Sequence, residues 1–213
     1  MMTASRPVFG AHHTWVGRLS EKSTDGGRPS PPILIIPGID GSGPAHWQSH
    51  WEADLPTAER VNQADWSRPT LAEWTASLAE SVRAAPGAIL VAHSLGCVLV
   101  AHLAQVTGGR GVAGALLVAP ADVDHADRAI GLAPTFSPAP LLRLPFPSLV
   151  VASRNDPYVE FGRAAHLAEA WGADIHDSGL AGHINADAGY GPWPEGRDLL
   201  ASIIQRAGET RIG

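Results

Sequence analysis

The sequence predicts a single α/β domain built on a mostly parallel sheet of about six strands, with helices on both faces. Three observations carry this. Short runs that are apolar throughout recur along the chain, at 33–36 (ILII), 88–93 (AILVAH), 114–120 (GALLVAP) and 148–153 (SLVVAS). A strand apolar on both faces belongs inside a sheet covered on both sides, the situation of parallel strands joined by crossover helices. Longer stretches between these runs repeat their apolar residues at helical spacing, and 213 residues suit one globular domain.

Taken in order, residues 20–32 (SEKSTDGGRPSPP) mix Ser, Gly, Pro and charge and cannot bury enough apolar surface to order themselves. Residues 1–32 are therefore expected to form a flexible lead-in, with the domain occupying 33–213. The strand at 33–36 opens it. In 70–84, Leu71, Trp74, Leu78 and Val82 recur three and four apart, which predicts a helix laid on the sheet by that face. Strand 88–93 feeds a helix over 94–105, and strand 114–120 follows. Residues 121–147, rich in Pro and Ala, form the longest irregular stretch after the lead-in and are too few for a large cap domain, so an open site is expected. Strand 148–153, a helix over 159–171, a strand at 173–178 (ADIHDS) and a helix over 195–206, opened by Pro194, complete the alternation.

Composition excludes several classes. Fifteen Lys and Arg against 21 Asp and Glu give a formal charge of −6, which repels a phosphate backbone rather than collecting it. The single cysteine, Cys97, forms no intramolecular disulfide and no thiolate zinc module. No run of 18 apolar residues offers a membrane span, and the first twenty residues lack the apolar stretch of a secretory signal. A cytoplasmic protein that binds neither nucleic acid nor membrane is expected.

The chemistry is expected at strand ends. Residues 92–96 (AHSLG) follow the strand at 88–93 and fit the nucleophile-elbow pattern, with Ala92 where Gly is usual. Small residues two before and two after the serine let the strand turn sharply into a helix while Ser94 is held in a strained backbone. Asp156 follows the strand at 148–153 in SRNDP, and His183 follows the strand at 173–178 in a Gly-rich turn, GLAGH. Ser, Asp, His, each just after a strand, is the order found in α/β-hydrolases. An imidazole near its reference pKa of about 6.5 can take the serine proton as attack proceeds, and Asp156 would fix its tautomer and stabilise the imidazolium. The resulting oxyanion needs preorganised donors: the amides of Leu95, directly after the nucleophile, and of Ile39, in the loop 37–43 (PGIDGSG) where Gly38 makes the sharp turn. No cofactor is required.

Each residue also has a plainer reading. Ser94 could be a helix N-cap and Asp156 a turn residue before Pro157. His183 has nine rival histidines, of which His12 and His13 fall in the lead-in and His102 and His166 inside helices; its position after a strand end carries the claim. His46 and His50, four apart, would share one helix face, but no Glu follows His46 and no third metal ligand is evident. Trp47 and Trp51 read as core packing, whereas Trp193, beside the histidine loop, is a candidate for the acyl pocket. Asp122, Asp124, His125 and Asp127 lack the Gly and terminal Glu of a calcium loop and read as a solvated loop. Cys97 reads as a small buried filler. The Gly38, Gly41, Gly43 loop lacks the third Gly and the Gly-Lys-Ser/Thr of phosphate-cradling loops.

The strings PGIDGSGPAHWQSHW, AHSLGC, SRNDPYV and GHINADAGYGPWPEG resemble those of the retinoblastoma-binding-protein-9 and bacterial YdeN-type serine hydrolases, compact α/β-hydrolases. The resemblance covers roughly residues 33–206, and its most specific element is Gly182-His183 followed by Gly191-Pro192-Trp193-Pro194-Glu195-Gly196. It implies a lidless hydrolase with the triad Ser94, Asp156 and His183, with esterase or aminopeptidase-like activity among relatives. The Leu-x-Cys-x-Glu string by which one relative binds a pocket protein is broken here, since Leu95-Gly96-Cys97-Val98 ends in Leu99, so that partner does not carry over. The expectation is a carboxylesterase cleaving small acyl esters through an acyl-enzyme. The alternatives are an aminopeptidase or amidase on the same triad, and a non-catalytic interaction module of the same fold.

Overall fold

The computed structural model describes residues 30–125 and 133–210, and the backbone of 24–25 and 28–29. Six parallel strands form the sheet: β3 (Ile33–Ile36), β4 (Ala58–Arg60), β5 (Ala88–His93), β6 (Val112–Val118), β7 (Ser148–Ala152) and β8 (Asp174–Asp177), in the order β4-β3-β5-β6-β7-β8. Ahead of them, β1 (Thr24–Asp25) and β2 (Arg28–Pro29) pair as a two-residue antiparallel ladder, inside the segment the composition marked as lead-in. The carbonyl of Pro32 already accepts from the Ile89 amide, so ordered pairing with the main sheet starts one residue before β3.

Five helices cover the sheet: α1 (Trp47–Asp54), α2 (Leu71–Ala84), α3 (Leu95–Thr107), α4 (Phe161–Trp171) and α5 (Pro194–Thr210). Successive strand side chains alternate between faces, and the core divides accordingly. Leu34, Ile36, Leu90, Leu117 and Val150 point to the layer of α2, α3 and α4, against Trp74, Leu78, Leu99 and Trp171. Ile33, Ile35, Ile89, Val91 and Leu116 point to the layer of α1 and α5, against Trp47, Trp51, Leu200 and Ile203. Full burial of one such Leu or Ile is worth about 1.5–3 kcal/mol, and β5 lies between two strands with both faces covered.

The predicted strands and helices are present with ends moved by up to four residues. Thr70 caps α2 rather than beginning it: its hydroxyl accepts the Glu73 amide and donates to the Glu73 carboxylate. Two elements gave no periodic signal. β4 reads AER because it is an edge strand paired only with β3. α1 is eight residues long, with only Trp47 and Trp51 as apolar anchors on its buried side. The irregular stretch before β7 contains, among the described residues, one three-residue helical turn, Pro134–Phe136. It folds back onto the domain: Phe136 is fully buried against Trp74, and the Trp171 indole N–H donates to the Pro140 carbonyl.

The first turn of α3 lies almost in contact with the end of β3. A Cβ on Gly96 would stand 2.4 Å from the Ile36 carbonyl oxygen and 2.9 Å from that of Pro37. Gly96→Ala should therefore lose about 1–3 kcal/mol of stability or more, as overpacking does, read as a lower urea midpoint. An unchanged midpoint would mean that α3 can slide away from β3.

Candidate active site

Ser94 occupies the junction of β5 and α3 with φ 55° and ψ −123°, a conformation that costs a non-glycine residue on the order of 1–3 kcal/mol. Its backbone is tied down on both sides. The Ser94 amide donates to Val118 of β6 at 3.0 Å, and its carbonyl accepts from Cys97 at 3.0 Å and Ala121 at 3.3 Å. Ala92 is fully buried and Gly96 has no room for a side chain, which is why the flanking positions are small. Although Ser94 stands where an N-cap would, its hydroxyl makes no capping bond. The serine hydroxyl is therefore not spent on capping α3.

The loop after β3 runs against this turn. A Cβ on Gly38 would lie 2.8 Å from the Ser94 Cβ and 3.3 Å from the Leu95 amide nitrogen. The turn Ile39–Gly41 continues through left-handed backbone at Asp40, Gly41 and Ser42. Among the described residues the amides of Ile39 and Leu95 donate to no acceptor. Two side chains that sequence reasoning missed hold the loop. Arg60 of β4 donates to the carbonyls of Gly41 and Ser42. Gln48, fully buried, donates to Ile36 and Val91 carbonyls at 3.2 and 3.0 Å and accepts from the Ser42 hydroxyl at 2.7 Å. Neither had a motif to announce it, since Arg60 lies on the unrecognised edge strand and Gln48 on the unrecognised short helix.

Asp156 and His183 are brought into direct contact. His183 Nδ1 lies 3.0 and 2.9 Å from the two carboxylate oxygens, and both residues are buried. Asp156 Oδ1 also accepts the Tyr158 amide at 2.9 Å, so the turn reading and the acid reading hold together. With Nδ1–H donating to the carboxylate, Nε2 of the neutral ring carries the lone pair. The Ser94 hydroxyl makes no hydrogen bond to His183 among the described residues. Between them stands His93, the residue before Ser94, whose ring lies 4.7 Å from that of His183.

The histidine loop contains five left-handed residues, Gly179, Gly182, Ile184, Gly189 and Trp193, and is held by distant ring donors. Trp47 Nε1 donates to the Ile184 carbonyl at 2.9 Å and Trp51 Nε1 to that of Pro192 at 3.0 Å. Nearer β7, Ser153 Oγ accepts the Ala181 amide and Asn155 Oδ1 that of Gly182. Trp193, the sequence candidate for the acyl pocket, is 7% exposed and contacts Trp47, Trp51 and Tyr190, a packing role beneath this loop. Trp47 and Trp51 are core residues, as expected.

The acidic cluster after β6 needs correction. Asp122 is 2% exposed and paired with Arg163 of α4, which also binds Asp124; these are structural ion pairs rather than a solvated loop, while Asp127 lies outside the described residues. Among the described residues no three His, Cys, Asp or Glu side chains are grouped to hold a metal ion. Cys97 is buried with its thiol donating to the Val118 carbonyl, and burial pushes its pKa well up.

Two buried histidines stay neutral. Burial first, then the His183 and Arg60 charges, lowers His46 from 6.5 to about 4. Burial, followed by His183 and His46, holds His93 well below 6.5. The unfolded chain therefore binds more protons than the fold between pH 6.5 and about 4, so this stability is present above 6.5 and lost as pH falls through that window. His46 Nδ1 caps α1 by accepting the Gln48 amide, which an asparagine oxygen can also do. His46→Asn should thus flatten the acid decline of Tm relative to the parent; an equally steep decline would remove His46 as a contributor.

Comparison with known proteins bears on the family and the fold. A protein-family model described as "Serine hydrolase" matches residues 33–202. A protein from Pectobacterium atrosepticum described as a YdeN-like hydrolase shares 35% identity, with 84% of this chain and 92% of that chain covered and a TM-score of 0.74. The ydeN gene product of B. subtilis shares 22%, covering 82% and 99% with a TM-score of 0.69. A Mycobacterium tuberculosis protein described as a non-heme bromoperoxidase, BpoC, shares 14%, covering 93% and 99% with a TM-score of 0.63; at such identities the likeness is one of fold alone. No curated protein matches the sequence. With a family model spanning most of the chain and a relative alike over nearly all of its own length, the chain belongs to the serine hydrolases of YdeN type, within the α/β-hydrolase superfamily.

Proposed function

We propose that this serine hydrolase is a carboxylesterase of small acyl esters, with Ser94 as nucleophile, His183 as general base and acid, Asp156 as the partner that orients the base, and the Ile39 and Leu95 amides as oxyanion donors. The observation that carries the reading is the pairing of a strained serine that caps nothing with a histidine whose Nδ1 is committed to a buried carboxylate. Ser94 Oγ attacks the acyl carbon as its proton passes to His183 Nε2, and Asp156 remains ionised beside the imidazolium. The tetrahedral oxyanion forms against the two free amides, a contribution of about 3–4 kcal/mol per donor in comparable sites. Collapse expels the alcohol, which takes the proton from Nε2. Water, deprotonated by the same nitrogen, then attacks the acyl-enzyme and releases the acid.

The restriction to small substrates rests on the stretch between β6 and β7, which has too few residues for a large cap domain over the site. In Ser94→Ala, turnover of p-nitrophenyl acetate and labelling by a fluorophosphonate should both disappear, a fall in kcat of several orders of magnitude because triad members act as a unit. Unchanged turnover would end the proposal. Asp156→Asn should lower kcat on the order of ten-thousandfold by imposing the wrong tautomer; a loss under tenfold would move the acid elsewhere. A panel of esters beside aminoacyl amides tests the ester preference, and faster cleavage of the amides would replace esterase by amidase.

A further inference from the structure

We infer that His93 is a positioning residue that fastens the main chain of the base to that of the nucleophile, an inference resting on the roles proposed above for Ser94 and His183. His93 is the last residue of β5 and is 4% exposed. Its Nε2 lies 2.9 Å from the main-chain oxygen of His183, across 90 residues of sequence. A carbonyl can only accept, so Nε2 carries the proton and the tautomer of His93 is fixed. From Ser94 to His183 the path is thus one peptide bond, one imidazole and one hydrogen bond. No strand pairing is required along it.

The residue type follows from what surrounds the bond. The acceptor sits between left-handed residues, Gly182 at φ 56° and Ile184 at φ 47°, so the loop has no regular secondary structure to satisfy that carbonyl. A hydrocarbon side chain in place of His93 would fill the space and leave a buried acceptor unpaired, a penalty larger than the loss of one ordinary bond. A lysine or arginine would supply the donor, but as a fixed cation beside the ring that must become an imidazolium. The groups facing the His93 ring are His183 and His46, each with its centroid at 4.7 Å, and Trp47 at 6.1 Å. None is an anion that could neutralise such a cation. A buried histidine, held neutral by desolvation, gives an N–H without a charge. Tyr158 also meets the His183 ring, at 4.5 Å, so the imidazole is bounded by two rings while Asp156 sets its orientation.

The test uses the full chain with two substitutions, His93→Gln, which keeps an uncharged N–H donor, and His93→Leu, which keeps bulk and removes the donor. Each is assayed well below its own Tm for p-nitrophenyl acetate hydrolysis and for fluorophosphonate labelling of Ser94. We expect His93→Leu to lower kcat on the order of a hundredfold, the scale of an ångström of misplacement, with KM changed less than about twofold. His93→Gln should recover most of kcat. Equal kcat in the parent and a folded His93→Leu overturns the inference, as does a folded His93→Gln that is no better than His93→Leu. If either variant fails to fold, nitrogen NMR of the parent decides: a proton on His93 Nε2 near neutral pH supports the bond, and one on Nδ1 overturns it. A parent that is neither labelled at Ser94 nor active on esters fails on its proposed function instead, and the NMR result still judges the bond by itself.

Discussion

The constraint on which the remaining architecture rests is the reversal of chain direction at Ser94. A strand buried on both faces must become a helix within one residue, and that residue takes a left-handed backbone without being glycine. The cost is local and the compensation is spread around it. β5 from Ala88 to Ala92 is 0% exposed at every position. Its neighbour β6 contributes the Val118 carbonyl that fixes the Ser94 amide, and α3 lies close enough to β3 that only glycine fits at 96. Strain of this kind persists where the surroundings over-determine it, and the centre of a six-stranded sheet is the most over-determined place in the molecule.

The histidine loop is stabilised differently. It has no strand ladder, and its left-handed residues would be free to relax were its carbonyls not claimed by Trp47 and Trp51 from α1 and by His93 from β5. The indole N–H suits such a clamp because it is a single directional donor on a large apolar body, buried without a second polar atom to satisfy. The same side chains therefore serve as core and as clamp. Trp47 and Trp51 are fully buried, so their indoles reach the loop from beneath rather than from solvent.

The central strands and the chain order of the three candidate residues were legible because both follow from local chemistry. Strands apolar on both faces declare a covered sheet, and Ser94 and Asp156 come just after such strands, whereas His183 comes after the exposed edge strand β8. What was not legible depends on partners distant in sequence. β4 has no pattern because an edge strand of three residues buries little, and α1 none because two tryptophans do not establish a period. The two side chains that hold the loop after β3, Arg60 and Gln48, fall on those elements and were missed with them. Asp122 was misread for a related reason. A carboxylate in an acidic run looks solvated until Arg163, 41 residues later, is seen to cover it.

The charge distribution around the site shows why these hidden elements matter. The carbonyls of Gly41 and Ser42 are bonded to Arg60, and an oxygen turned toward a guanidinium is turned away from a neighbouring anion. The unpaired amides of Ile39 and Leu95 are thus left without competing carbonyl dipoles from the same loop. Arg60 is itself neutralised by Glu52 at 2.7 Å, so it orders the loop without leaving a net cation near the base. His46 and His93 reach the same end by remaining uncharged. Among the described residues that face the His183 ring or its Nδ1, the one formal charge is the Asp156 carboxylate. That arrangement leaves one anion and no cation beside the ring on which the proposed mechanism places its positive charge.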